Sequence, residues 1–499
     1  MRNDFSNALF LFQSGKLDEA KNICEEILKQ ESNNSQVINL YAFILYNKKK
    51  FNEAIEQWQQ AIKINPNYIE ALNGCGNAYK NLNKLDEAVK NFKKAIHIEP
   101  KYLEAYLNLA NVYIRLEQFN EAIDIFNKAI ELDNMISHAY QGKGLGLMKL
   151  KKFDEAISNF KKSISINPND ANVFFNLAVT YEKIEKWEEA TDCFVKVLKL
   201  NPGHRDAYEN LLDLLEFYLP KKNYENFIVK TNNLLKLNSI NIDLNNPISD
   251  EKIINYYSEI SEILDKNFNN NFLNNRSQIF RINTDNLNCK RHFEIFNTFN
   301  VIPKFCFECY KIQINLKNVL ELFKLYIVFD KIKLKKNNQR KCMIETRPKV
   351  EGNYKGLIYC SGLSEAQNII KYLLPITKKT ISDNLSMFIK RGCTEFAVSY
   401  PRYKEIDNSM KYNEDWIKKE KIIDEKNKNK NSNNLLKETL TGLSITDSLI
   451  MQNWLSFAKS INDESYKKFR IDIIDSKYLK NKLSGQIEHR IDEFQKINF

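Results

Sequence analysis

The sequence predicts an α–α superhelix followed by a smaller α+β domain. A 34-residue recurrence fills the first ~200 residues, and the apolar pattern changes from helical to alternating near Cys309. Hydrophobic residues make up 43% and charged residues 27%, the composition of a folded chain rather than a disordered one. At 499 residues the chain exceeds what one core supports, so two or more domains are expected.

The recurrence is read from its own spacing. Glu-Ala pairs stand at Glu19-Ala20, Glu53-Ala54, Glu87-Ala88, Glu121-Ala122, Glu155-Ala156 and Glu189-Ala190, each 34 residues after the last. Four residues after each Ala comes Cys24, Trp58, Phe92, Phe126, Phe160 or Phe194. Twelve residues before it comes Ala8, Ala42, Gly76, Ala110, Gly144 or Ala178. Pro66, Pro100, Pro168 and Pro202 close four of the six units. Small residues let two helices approach, the aromatic fills the space beside them, and proline stops the second helix. A single hairpin cannot bury its apolar face, so the units must stack.

Length and key positions resemble the tetratricopeptide repeat. The resemblance covers residues 1–235: six clear units and a degenerate seventh in which Pro220 and Asn223-Tyr224-Glu225-Asn226 replace Glu-Ala. It implies a superhelix whose groove holds a protein or an extended peptide. In this family the first helix of each hairpin lines the groove through its sixth and ninth positions. Here those positions include Asn77, Asn108, Asn111, Asn176 and Asn210, with Asn73 at a fifth position. The set resembles the asparagine ladder in the superhelix of O-linked N-acetylglucosamine transferases. An amide both donates and accepts, so it pairs with any peptide group regardless of sequence. Leu40, Gly74 and Gly142 interrupt the ladder. The lysine–asparagine carboxylate clamp of chaperone cofactors is missing, and residues 270–499 contain no Gly-rich nucleotide loop to suggest a glycosyltransferase.

After a connector at 236–300, with a helix over 250–268 and an Asn-rich loop from Asn269-Asn270-Asn271, residues 301–408 alternate as half-buried strands do. Strands are expected over 310–314, 340–346, 354–360 and 385–390, the last running on past Gly392 toward Tyr400. Helices are expected over 318–331 and 364–374, the second ending before Pro375. The order β-α-β-β-α-β is the split arrangement of ferredoxin-like folds. Residues 409–499 read as a Lys/Asn linker over 424–434, an amphipathic helix over 444–459 and a lysine-rich helical tail.

That topology brings the starts of the first two strands and the ends of the others to one sheet edge. Cys306, Cys309, Cys342 and Cys360 would converge there, with Cys393 as an alternative and Cys289 and His292 just upstream. Such thiols suit zinc, an iron–sulfur cluster or a redox pair, and equally suit packing as small hydrophobes. Lys331, Lys333, Lys335, Lys336, Arg340 and Lys341 form a basic loop between helix and strand that is either solvated or in contact with phosphate or RNA. Glu345, Arg347 and Arg391 suggest either an active-site set or a salt-bridged sheet face. Lys355-Gly356-Leu357-Ile358-Tyr359 has the look of the third strand of RNA-recognition sheets without their stacking aromatics.

Net charge is +11, but the lysines are diffuse in a chain equally rich in Asn and Ile, which disfavours nucleic acid as the partner. No run of ~20 apolar residues could span a membrane. Nine cysteines after an acid-bearing start, Met1-Arg2-Asn3-Asp4, point to a reducing compartment, hence a cytoplasmic protein. Two functions remain open. One is a peptide-binding scaffold with a cysteine-rich docking domain. The other is a metal- or thiol-dependent enzyme that holds its polypeptide substrate in the repeats, although no nucleophile–base set is visible.

Overall fold

The computed structural model describes residues 2–267, 276–281, 289–348, 350–393, 396–406, 410–427, 438–473 and 475–498. It divides into two compact units, Met1–Tyr208 and Glu209–Phe499.

The first unit is six helical hairpins: α1 Arg2–Gln13 with α2 Leu17–Gln30, α3 Ser35–Asn47 with α4 Phe51–Ile64, α5 Ile69–Asn81 with α6 Leu85–Ile98, α7 Leu103–Arg115 with α8 Phe119–Leu132, α9 Ser137–Lys149 with α10 Phe153–Ile166, and α11 Ala171–Lys183 with α12 Trp187–Leu200. Within each hairpin the first helix ends the same way. Lys49, Asn83, Glu117, Lys151 and Glu185 adopt positive φ of 59–63° at 34-residue steps. The next N–H then reaches back five residues: Lys50 to Leu45 O, Lys84 to Tyr79 O, Gln118 to Tyr113 O and Lys152 to Leu147 O, all at 2.9 Å. This is the left-handed cap that satisfies carbonyls left open at a helix end. Ala88, Ala110 and Ala122 are fully buried around Phe92 and Phe126, and each hairpin shares such a core with the next. The odd-numbered helices α3, α5, α7, α9 and α11 also touch one another in sequence, so they form the closer-packed wall of the stack.

The seventh pair, α13 Arg205–Leu215 and α14 Phe227–Leu237, was expected to close the superhelix at 235, but the division falls after Tyr208. The reason is local. In α14, Asn232 Oδ1 accepts from Ile445 N (3.2 Å) and Lys236 Nζ donates to Gly442 O (2.9 Å), tying this helix into the second unit.

The second unit is built on a five-stranded antiparallel sheet: β1 Gln278–Arg281, β2 Tyr310–Leu316, β3 Arg340–Ile344, β4 Tyr354–Cys360 and β5 Ser386–Arg391, in the order β1-β3-β4-β2-β5. Around it lie α15 Asp250–Asn267, α16 Cys289–Phe299, α17 Val319–Lys331, α18 Leu363–Thr380, α19 Phe396–Ser399, α20 Trp416–Asn427, α21 Ile445–Ser460, α22 Lys477–Leu483 and α23 Ile487–Asn498. Helix α17, capped by Asn318 on Glu321 N (3.0 Å), packs on β2, β3 and β4; α18 packs on β2, β4 and β5. Gly356 allows this close approach, since a Cβ there would collide with Leu325 of α17.

Charges are buried where they are mutually satisfied. Arg281 Nε donates to Asp330 Oδ1 at 2.8 Å and its Nη2 to Asp447 Oδ2 at 3.3 Å, and Gly442 N donates to Asp330 at 3.1 Å. This cluster links β1, α17 and α21, and breaking such a buried pair is costly.

Several boundaries differ from the expected ones. Strand β1 is additional, flanked by polar residues that carry no alternation. Helix α18 does not stop before Pro375; the Thr377 hydroxyl donates to Leu373 O (3.0 Å), and the helix runs to Thr380. Strand β5 ends at Arg391, because Gly392 takes φ +46° against the Tyr403 ring, and α19 follows instead of more strand. Helix α20 takes up part of the expected 424–434 linker, where Asp424 Oδ1 accepts from Arg291 Nε at 2.6 Å. The rest of that linker and Asn269-Asn270-Asn271 lie outside the described residues.

Candidate functional site

In the first unit the asparagines sit on the closer-packed wall and are linked across repeats. Asn73, in α5, is buried, and its Nδ2 donates to Glu104 Oε1 at 2.8 Å. Its Oδ1 accepts from Asn108 Nδ2 at 3.0 Å, so Asn73 works from beneath to fix Asn108 in α7. Lys80 Nζ then bridges Asn77 Oδ1 (2.8 Å) and Asn108 Oδ1 (3.4 Å). Further along, Asn111 Nδ2 lies 3.1 Å from His138 Nε2. Arg115 donates to Lys80 O (2.9 Å) and to Asn83 Oδ1 (3.0 Å), placing a second cation beside the first. Burial, helped by that neighbour, pushes the Lys80 ammonium below its ordinary value.

The chain of contacts leaves hydrogen-bonding capacity unused. Each amide offers two donors and two acceptor lone pairs. The Asn77 Nδ2, the Asn111 Oδ1 and the whole Asn176 amide make no hydrogen bond among the described residues. All four of Asn77, Asn108, Asn111 and Asn176 are half-buried. Asn210 falls in α13 beyond Tyr208 and is described with the second unit. Gly74 and Gly142, which interrupt the ladder, have a packing reason: they lie against Trp58 and Phe126 of the preceding hairpin.

In the second unit the strand register decides which thiols meet. Cys360 pairs with Tyr310, Tyr310 pairs with Arg391, and Gly392 N donates to Cys309 O at 2.7 Å. Cys309, Cys360 and Cys393 therefore share one edge, with Cys306 in the preceding turn. Cys342 does not join them. It pairs with Gly356, four residues before Cys360 along β4, or about 13 Å at strand rise. Among the described residues no group of three or more His, Cys, Asp or Glu is arranged to hold a metal ion. The four expected ligands Cys306, Cys309, Cys342 and Cys360, with Cys393 in reserve, thus do not make a metal-holding set. The strand start at Arg340 places Cys342 too far inside the sheet.

The thiols are also poor nucleophiles. Burial pushes Cys309 and Cys360 up to about 12 and Cys306 and Cys342 higher still. Upstream, His292 stacks on Phe305 at 5.1 Å, and burial beside Arg291 holds its imidazole down to about 4, so the ring is neutral. Glu345 is engaged by Arg347 Nη2 and Lys355 Nζ, both at 2.9 Å. Burial alone would raise its carboxyl, but these two donors hold it at about 2. Arg391 stands apart from that pair, donating to Phe307 O at 3.2 Å and packed among the rings of Phe307, Tyr310 and Tyr403.

Comparison with known proteins bears on the first unit. Residues 11–77 match the family profile described as tetratricopeptide repeat, and residues 60–214 that of the tetratricopeptide repeat protein 21 C-terminal ARM domain. The hairpins are tetratricopeptide repeats. No curated protein matches the chain. Among solved structures, YrrB, described as a TPR protein with an unusual peptide-binding site, is 24% identical over 38% of this chain and 96% of its own, with a TM-score of 0.33. MamA is 26% identical over 32% and 95%, with a TM-score of 0.31. Pseudomonas aeruginosa PilF is 16% identical over 42% and 96%, with a TM-score of 0.39.

Within the tetratricopeptide repeats, sequence reasoning missed Lys80 and Arg115. Both sit at the end of a first helix, three and four residues past the ninth position. Their only signal is that Lys80 follows Asn77 by one helical turn. Among the described residues no helix is long and apolar enough to cross a membrane.

Proposed function

We propose that this chain is an interaction scaffold whose tetratricopeptide repeats hold an extended polypeptide segment against the α5–α7–α9–α11 wall. The observation that carries the reading is the linked set Asn73–Asn108–Lys80–Asn77. It presents oriented amides with unused donors and acceptors beside two cations, Lys80 and Arg115. Amides recognise peptide backbone whatever its sequence, and the cations favour a segment carrying an acidic side chain near its centre. The peptide-binding site named in the YrrB description agrees with this use of the fold.

We read the sheet of the second unit as ferredoxin-like. Strands β2 and β3 run parallel with β4 between them, β4 and β5 run parallel with β2 between them, and α17 and α18 make the two crossings. Its role in this reading is docking rather than metal chemistry, because Cys342 lies away from the thiol edge. Seven of the nine cysteines are buried as free thiols, which suits a reducing, cytoplasmic setting.

A random dodecapeptide library displayed against the full chain tests the proposal. Enriched peptides should bind the purified protein at one site and lose about tenfold in affinity to the Asn77→Ala/Asn108→Ala variant, the worth of one or two net hydrogen bonds. Affinity unchanged in that variant removes the asparagines from the site.

A further inference from the structure

The face of the second unit's sheet opposite α17 and α18 carries its own feature. Register fixes which side chains share it: Lys311 stands opposite Tyr359 and Lys390, Gln313 opposite Leu357 and Phe388, and Lys341 opposite Leu357 and Phe280. Lys355, two residues before Leu357 on β4, lies on the same face. Walls rise around it from Phe293 of α16, from Arg347 and from Lys404, enclosing a cavity of about 600 Å³. Lys311, Lys341, Lys355 and Lys390 give one ammonium from each of β2 to β5, and among the described residues no Asp or Glu lines the space. Of the carboxylates that act on these lysines from outside the cavity, Glu345 is already engaged by Lys355 and Arg347, and Glu351 favours the charged form of Lys390.

Such an arrangement costs free energy by itself. Burial pushes Lys390 below its ordinary value, with Lys311 and Arg347 adding repulsion, and Lys355 is pushed down despite its contact with Glu345. An anion entering the cavity would relieve that repulsion.

The chemistry narrows the class. A volume of this size suits a small molecule. Four lysines act as point charges that meet a multi-oxygen phosphate from several sides, whereas a planar carboxylate favours arginine forks. The rings that would stack unpaired bases are occupied: Lys311 Nζ lies 5.4 Å from the Tyr359 centroid and Lys341 Nζ 5.3 Å from that of Phe280. We propose that this cavity binds a small molecule carrying two or more phosphate groups, held through those phosphates by Lys311, Lys341, Lys355 and Lys390.

Calorimetric titration of the full chain at fixed salt, with tripolyphosphate, ATP and orthophosphate as probes, tests this. Tripolyphosphate and ATP should bind one per chain, with orthophosphate at least tenfold weaker. ATP tighter than tripolyphosphate would assign a nucleotide; equal affinities would assign a polyphosphate. Lys311→Gln/Lys390→Gln should weaken tripolyphosphate at least tenfold, while Lys333→Gln/Lys335→Gln, which removes equal charge from the exposed stretch outside the cavity, should leave it unchanged. Lysine acetylation read by mass spectrometry needs no variant: bound tripolyphosphate should protect Lys311, Lys341 and Lys390 but not Lys333 or Lys335. No saturable binding, affinity that survives the cavity variant, protection spread over all lysines, or binding of single-stranded RNA without tripolyphosphate would each overturn the proposal.

Discussion

Trp58 stands where a side chain on Gly74 would have to go: a Cβ there would meet Trp58 Cε2 and Cζ2 at 2.5 Å, and both residues are buried. The indole is fixed in turn by Asn39, whose Oδ1 accepts from Trp58 Nε1 at 2.8 Å. In an open helix Gly→Ala would stabilise by up to about 1 kcal/mol. Gly74→Ala should instead destabilise the repeats by about 1–3 kcal/mol through overpacking. Urea unfolding followed by helical circular dichroism reads the sign directly.

The repeated left-handed caps make the opposite kind of prediction. Glu117 holds φ +59°, a conformation that costs a residue with a Cβ about 1–2 kcal/mol. Glu117→Gly removes that cost and gives back part of it as unfolded-chain entropy. A net gain of about 0.5–1 kcal/mol is expected in the same unfolding measurement, with no change in helix content.

The first unit was legible in the sequence because each repeat restates the same solution. An aromatic, a small residue and a helix stop at fixed spacing leave one way to stack. The second unit states each element once, so single features misled. Pro375 reads as a helix stop, yet α18 runs through it to Thr380. Gln278–Arg281 is too short and too polar-flanked to announce a strand, and it pairs only because β3 offers a free edge. Cys342 was placed at the thiol edge by assuming that its strand starts beside it, when register sets it opposite Gly356. The lysines tell the same story. Arg340, grouped with an exposed basic stretch, is buried and donates to Phe329 O at 2.6 Å, while its neighbour Lys341 points to the other face.

His292 gives the second unit a pH dependence. Its folded pKa, about 4, lies below the ordinary 6.5, so its contribution is complete above pH 6.5 and is lost as pH falls toward 4. His292→Phe, which keeps the stacking on Phe305, should flatten stability between pH 7 and 4.5 by about 2 kcal/mol relative to the parent. An unchanged pH profile would mean that the imidazole is hydrated in the folded state.

Thiol labelling separates packing from redox use of the cysteines. At pH 7.5 the half-buried Cys289 and Cys393 should react with a disulfide reagent first. The seven buried thiols, Cys306 and Cys309 among them, should react only as the protein unfolds. Rapid native-state labelling of Cys306 or Cys309 would restore a redox pair.

Hydrogen–deuterium exchange on the full chain, with and without a selected peptide, addresses the groove most directly. Peptide binding should slow exchange in α5, α7 and α9, and the slowing should vanish in Asn77→Ala/Asn108→Ala. Protection confined to residues 209–499, or protection that persists in the variant, would contradict a peptide held by the amide-lined wall of the repeats.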